Sequence, residues 1–100
     1  MNSVYHKFLK RQALVGTSLC VGIDPVIEQL PDLYPKTVKG LLEFSRDLVD
    51  ASSEFAIAFK INTAFFEVCG QEGLAAYHGV RESIASDIPV IVDAKRGDIG

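Results

Sequence analysis

Val90-Ile91-Val92-Asp93-Ala94-Lys95-Arg96-Gly97-Asp98 decides the reading of this chain, because an apolar, strand-forming run passes directly into three charges spaced Asp-x-Lys-x-x-Asp. Side chains two apart on a strand share a face, so Asp93 and Lys95 are expected side by side at the strand's carboxyl end. Asp98 then falls on the turn that follows. Parallel α/β proteins keep their chemistry at that edge of the sheet.

Two upstream segments repeat the pattern. Residues 18–23 (S-L-C-V-G-I) form a short strand-like run that stops at Asp24-Pro25, where proline removes a backbone donor. Residues 55–61 (F-A-I-A-F-K-I) are apolar until Lys60 and run into Asn62-Thr63, side chains suited to opening a loop or capping a helix. Between these strands, Val38, Leu41, Leu42, Ser45, Leu48 and Val49 recur at helical spacing and predict a helix over 37–53. Leu74, Tyr77, Ile84 and Ala85 predict another over 71–86. Tyr5, Phe8, Leu9 and Gln12 predict an amphipathic lead-in helix ended by Gly16, and prolines 25, 31 and 35 predict a loop with at most one helical turn.

The order is therefore helix, strand, helix, strand, helix, strand over 90–94. Each strand reads as a nearly continuous apolar run, the pattern of strands buried on both faces of a parallel sheet. Successive βαβ units of a barrel or a doubly wound sheet fit this spacing. A whole barrel takes ~250 residues. Residues 1–100 are accordingly read as one partial domain, an amino-terminal fragment or piece of a longer protein with about three β/α units, truncated after the third strand.

Composition excludes several classes of function. Ten Lys and Arg against 13 Asp and Glu give a formal charge of −3, with no basic stripe for nucleic acid. No apolar run is long enough for a membrane span, and the start lacks the apolar core of a secretory signal, so a cytoplasmic location is expected. Cys20 and Cys69 have no partner pattern for zinc or redox pairing and read as buried free thiols. His6 and His78 sit in helical patterns without a second ligand nearby, and no metal site is expected. No Rossmann fingerprint or phosphate-cradling Gly-rich loop is present.

What remains is a set of charges at equivalent places: Asp24 after strand one, Lys60 at strand two, Asp93 and Lys95 at strand three. Charges at the ends of buried strands are costly unless paired, and these alternate in sign. Carboxylates flanking a lysine keep its ammonium charged. Each residue has a plainer reading when taken alone. Asp24-Pro25 opens turns, a single lysine can extend to solvent along its stem, and the last cluster can be a structural ion-pair network. Arg96-Gly97-Asp98 also spells an adhesion tripeptide, which beside a buried strand is coincidence.

With these residues in hand, the chain resembles the orotidine 5'-phosphate decarboxylase family, in its bacterial type 2-like branch. The resemblance rests on L-C-V-G-I-D-P at 19–25, F-K-I-N-T-A-F-F-E at 59–67 and V-D-A-K-R-G-D-I-G at 92–100. It implies a TIM barrel, a homodimer with sites at the subunit interface, and cofactor-free conversion of orotidine 5'-phosphate to UMP and CO2 in pyrimidine biosynthesis. Carried over, it implies that Lys95 protonates C6 and that Asp93 lies against the departing carboxylate while holding Lys95. Asp98 reaches the partner's site, Lys60 joins the charge network and a ribose hydroxyl, Asp24 binds ribose, and Asn62 lies beside them. The related metal-dependent sugar-phosphate decarboxylases, such as 3-keto-gulonate 6-phosphate decarboxylase, share the Asp-x-Lys-x-x-Asp signature. They place a magnesium-binding glutamate where this chain has Lys60. The phosphate grip in such barrels follows strands seven and eight, so the hundred residues alone are expected to be inactive.

Overall fold

A computed structural model describes residues 3–94. Seven elements follow one another: α1 (Ser3–Val15), β1 (Cys20–Ile23), α2 (Val38–Ser52), β2 (Ala58–Asn62), α3 (Ala64–Glu67), α4 (Gly70–Ser83) and β3 (Val90–Asp93). A single 3-10 turn, Ile27–Gln29, interrupts the proline-rich loop after β1. The strands form a parallel sheet in the order β1-β2-β3. Helical crossovers between parallel neighbours are the βαβ arrangement expected from the sequence.

Helix α2 begins where Thr37, in extended conformation, accepts the Gly40 N–H on its side-chain oxygen at 3.2 Å. Replacing such a cap by alanine typically costs ~1 kcal/mol, and Thr37→Ala is expected to lower stability by that amount in urea unfolding. Leu41, Ser45, Val49 and Ser52 are buried at spacings of three and four, so one stripe of α2 faces the sheet. Its two buried hydroxyls are satisfied within the helix: Ser45 Oγ donates to Leu41 O and Ser52 Oγ to Leu48 O. Ile23, Phe59 and Ile61 meet Leu41, Val49, Ala76 and Val80 in one apolar core between the sheet and the helices α2 and α4.

Among the described residues the helices cover one face of the sheet. Phe59 and Ile61 are fully buried, whereas Lys60 between them is exposed, and Cys20, Gly22 and Ile91 are exposed as well. α2 and α4 share one core with the sheet, and among the described residues the other face is open. Cys20 is therefore an exposed thiol and Cys69 a half-buried one, because apolar neighbours in sequence do not tell which strand face a residue occupies. In α4 the buried side is Gly73, Ala76 and Val80, with Tyr77 packed against the core and Ile84 buried just past the helix end as expected, while Leu74 and, beyond the helix, Ala85 are exposed. Small residues face inward there because neighbouring backbone is so near that a Cβ on Gly73 would lie 1.9 Å from Phe66 O.

The lead-in helix also departs from its sequence pattern. Tyr5 and Leu9 are exposed, and among the described side chains of α1 the buried one is Arg11. Its guanidinium donates through Nε to Ala56 O at 3.0 Å, through Nη2 to Ser53 O, and through Nη1 to Asp87 at 3.4 Å. Arg11 thus ties α1 to the segments that lead into β2 and β3. Arg11→Met would leave buried carbonyls without donors, and an expected loss of about 1–3 kcal/mol can be read from denaturant midpoints. Asp87→Asn is expected to cost under ~1 kcal/mol, because that carboxylate is solvent-exposed.

Strand β2 starts at Ala58 rather than at residue 55. The chain leaving α2 first makes a tight turn in which the Phe55 and Ala56 N–H groups bond to Ser52 O, so Phe55 cannot yet enter the ladder.

Candidate active site at the carboxyl edge of the sheet

Strand register decides which side chains share a face. Gly22 pairs with Lys60, and Lys60 with Ile91, forming one row across the three strands. Two residues further on, Asn62 pairs with Asp93. Because side chains alternate along a strand, Asn62 and Asp93 point to the same face as Lys60. This is the open face, opposite the helix-packed Ile23, Phe59 and Ile61.

Asp24 lies just past the end of β1, two residues after Gly22. Its carboxylate bends back over that glycine, with Oδ2 3.5 Å from where a Gly22 Cβ would stand. The Asp24 carboxylate therefore lies in ordinary contact range of the Gly22 position, beside the Lys60 row. Pro25 follows at once and is buried, which carries the chain away from the sheet.

The β1–α2 loop that begins there is tied down on its far side. Tyr34 donates its phenolic proton to Asp47 Oδ2 at 2.5 Å and packs edge-on against Phe44, while Lys36 Nζ donates to Leu30 O at 2.6 Å. The Tyr34 phenol is raised above its ordinary value, first by the hydrogen bond to Asp47 and then by burial and the nearby carboxylates. Since the folded state holds this proton more tightly than the unfolded chain, the tether is intact at neutral pH and is lost only as pH rises through the raised value.

At the end of β2 the backbone turns sharply. Asn62 Oδ1 accepts the Ala64 N–H at 3.0 Å, and the Thr63 N–H donates to Asp93 O at 3.1 Å. The Thr63 hydroxyl reaches the same carbonyl at 3.5 Å. Thr63 was not singled out in the sequence beyond its capping chemistry, yet it fixes the last residue of β3 to β2. Counting the strand register would have revealed it, since residue 63 follows the partner of Asp93.

Four of the residues expected from sequence, Asp24, Lys60, Asn62 and Asp93, are thus on one face at one edge of the sheet. Lys95 and Asp98 lie outside the described residues. Among the described residues no three His, Cys, Asp or Glu side chains are grouped to hold a metal ion, and no helix is long and apolar enough to cross a membrane. Lys60 stands in register between Gly22 and Ile91, with Asp24 just beyond β1 on one side and Asp93 at the end of β3 on the other. Such a set can bind hydroxyl groups by charge-assisted hydrogen bonds and can hold a second cation brought in beside Asp93.

Comparison with known proteins accords with this geometry. No family model matches the chain. Among curated proteins, the orotidine 5'-phosphate decarboxylase of Leptospira interrogans is 38% identical over 96 residues, covering 93% of this chain and 35% of that protein. The orotidine 5'-phosphate decarboxylase of Herpetosiphon aurantiacus is 42% identical over 84 residues, covering 84% of this chain and 32% of that protein. Among solved structures, a Toxoplasma gondii protein described as a putative orotidine-monophosphate-decarboxylase superposes with a TM-score of 0.85 at 38% identity, over 96% of this chain and 32% of its own. The Leishmania donovani OMP decarboxylase gives 0.76 at 36% identity, over 97% and 35%. The chain spans about a third of the length of the curated relatives it matches. Over nearly all of its length it is homologous to the orotidine 5'-phosphate decarboxylases, and it forms a parallel α/β portion of their TIM barrel.

Proposed function

We propose that this chain supplies the first catalytic strands of an enzyme that decarboxylates orotidine 5'-phosphate to UMP in the cytoplasm, without a cofactor. One observation carries the reading: Asp24, Lys60, Asn62 and Asp93 share one face at the carboxyl ends of three adjacent parallel strands. In the reaction the bond from C6 to the carboxylate breaks, its electron pair stays on C6, and CO2 leaves. Lys95 then gives a proton from its ammonium to C6 and becomes a neutral amine. Asp93 holds Lys95 and lies against the substrate carboxylate, Lys60 and Asp24 take ribose hydroxyls, and Asp98 serves the partner's site in a homodimer.

The physics of the step favours this division of labour. The carbanion at C6 is strongly basic, so a preorganised ammonium stabilises charge where it develops, which is the largest usual source of rate enhancement. Repulsion between Asp93 and the substrate carboxylate is a lesser contribution. Lys60 occupies the place where the metal-dependent sugar-phosphate decarboxylases carry a glutamate, and its positive charge repels a divalent ion.

The test is UMP formation from orotidine 5'-phosphate by the full-length protein, before and after EDTA. Turnover unchanged by the chelator is expected, and turnover abolished by EDTA and restored by magnesium would overturn the assignment. Residues 1–100 by themselves are expected to show no turnover, because remote phosphate binding supplies orientation of the reacting group. Measurable UMP formation by that piece would contradict this.

A further inference from the structure

We propose that Gly22 is a specificity-determining residue of this site, a strand position kept free of a side chain so that the ribose of the substrate can seat beside Asp24 and Lys60. The inference rests on the decarboxylase reading, in which those two residues take ribose hydroxyls, and it adds the place where the sugar lies. A glycine inside a strand weakens it, and it ordinarily answers a backbone need: a left-handed conformation, a bulge, or a neighbouring backbone that comes very close. Gly22 meets none of these. Among the described residues the glycines with positive φ are Gly16 and Gly70. The register of β1 on β2 runs unbroken through Gly22, from Cys20 opposite Ala58 to Ile23 opposite Ile61. Beyond its chain neighbours, a Cβ at Gly22 would have one described atom within 4 Å, Asp24 Oδ2 at 3.5 Å, which is ordinary contact. Gly40 and Gly73 show what a packing need looks like, with backbone oxygens 1.8 and 1.9 Å from the corresponding point. The reason left for a glycine here is the close approach of a ligand.

The chemistry around the gap selects that ligand. Gly22 is exposed on the open face, with the Asp24 carboxylate beside it and Lys60 as its register partner on the next strand. An apolar side chain filling the space would strip water from a carboxylate and an ammonium without replacing their hydrogen bonds. A sugar does replace them, because a ribose hydroxyl can donate to the one and accept from the other.

Substitutions of increasing size in the full-length protein test this. Gly22→Ala is expected to hold the melting temperature within about 3 °C of wild type or to raise it, since a strand gains from a side chain where there is room. Its kcat/KM for orotidine 5'-phosphate should fall about tenfold or more, the usual effect of one extra carbon in a fitted pocket, and that of Gly22→Val about 100-fold or more. The inhibition constant of ribose 5-phosphate, which carries the sugar without the base, should rise about tenfold in Gly22→Ala.

A kcat/KM for Gly22→Val within about threefold of wild type would overturn the inference. So would a melting temperature lowered by more than about 3 °C in Gly22→Ala, because the space would then be filled by protein. Lost kcat/KM with unchanged inhibition by ribose 5-phosphate would put the base over Gly22 in place of the sugar, which also overturns it. In each of these outcomes an active wild type leaves the decarboxylase reading standing. A wild type unable to form UMP from orotidine 5'-phosphate refutes that reading, and this inference with it.

Discussion

Lys95→Ala in the full-length protein should lower the turnover of orotidine 5'-phosphate by about 10³-fold or more, with UMP still bound. Removing a single neutral donor from a preorganised anion site already costs about 10²–10³ in kcat. Lys95 is a full charge and also the proposed source of the proton, so its loss should exceed that range. Lys60→Met should fall within the range of about 10²–10³, since Lys60 carries charge but delivers no proton. Its effect should appear in KM as well as kcat, because it is also proposed to meet a ribose hydroxyl. Both variants are read by UMP formation under saturating and limiting substrate. Turnover by Lys95→Ala within about tenfold of wild type would remove the lysine from the chemistry. Melting temperatures of the two variants provide the control for folding.

The second large effect concerns stability. Gly40→Val and Gly73→Val are each expected to destabilise the fold by about 3 kcal/mol or more, since overpacking against backbone forces shifts of main chain. A Cβ on Gly40 would stand 1.8 Å from Pro35 O, and one on Gly73 would stand 1.9 Å from Phe66 O. Neither neighbour is the flexible end of a side chain. Gly16 offers the contrast. It closes α1 with φ +71°, its N–H bonded to Gln12 O at 2.9 Å, and nothing within 4 Å of where a Cβ would be. Gly16→Ala should therefore cost only about 1–2 kcal/mol, the ordinary penalty of the left-handed conformation for a residue with a Cβ. Chemical denaturation of the three variants should rank them in that order. Equal losses at all three would show that the close approaches at Gly40 and Gly73 relax freely.

The order of elements was legible along the chain because it depends on local patterns. Helical spacing of Leu41, Ser45 and Val49, the stop at Asp24-Pro25 and the apolar run at 90–92 each act over a few residues. The same locality placed Asp24 and Asp93 at strand ends, whereas Lys60, expected at the end of its strand, stands in the middle of β2, which continues to Asn62. Pairing across the sheet is different in kind, because it joins residues about thirty or more positions apart. Only the folded sheet could set Gly22 beside Lys60 and Asn62 beside Asp93, and so decide that these four groups share a face. Burial followed the same rule. Arg11 is buried because the carbonyls of Ser53 and Ala56 come to meet it, and α4 approaches Phe66 closely at position 73, where a Cβ would lie 1.9 Å from Phe66 O. The sequence by itself determined which segments are helices and strands and which charges close them, through forces acting between near neighbours. Tertiary structure alone decided which faces meet and which way the Asn62 amide points, because those depend on backbone groups brought together by folding.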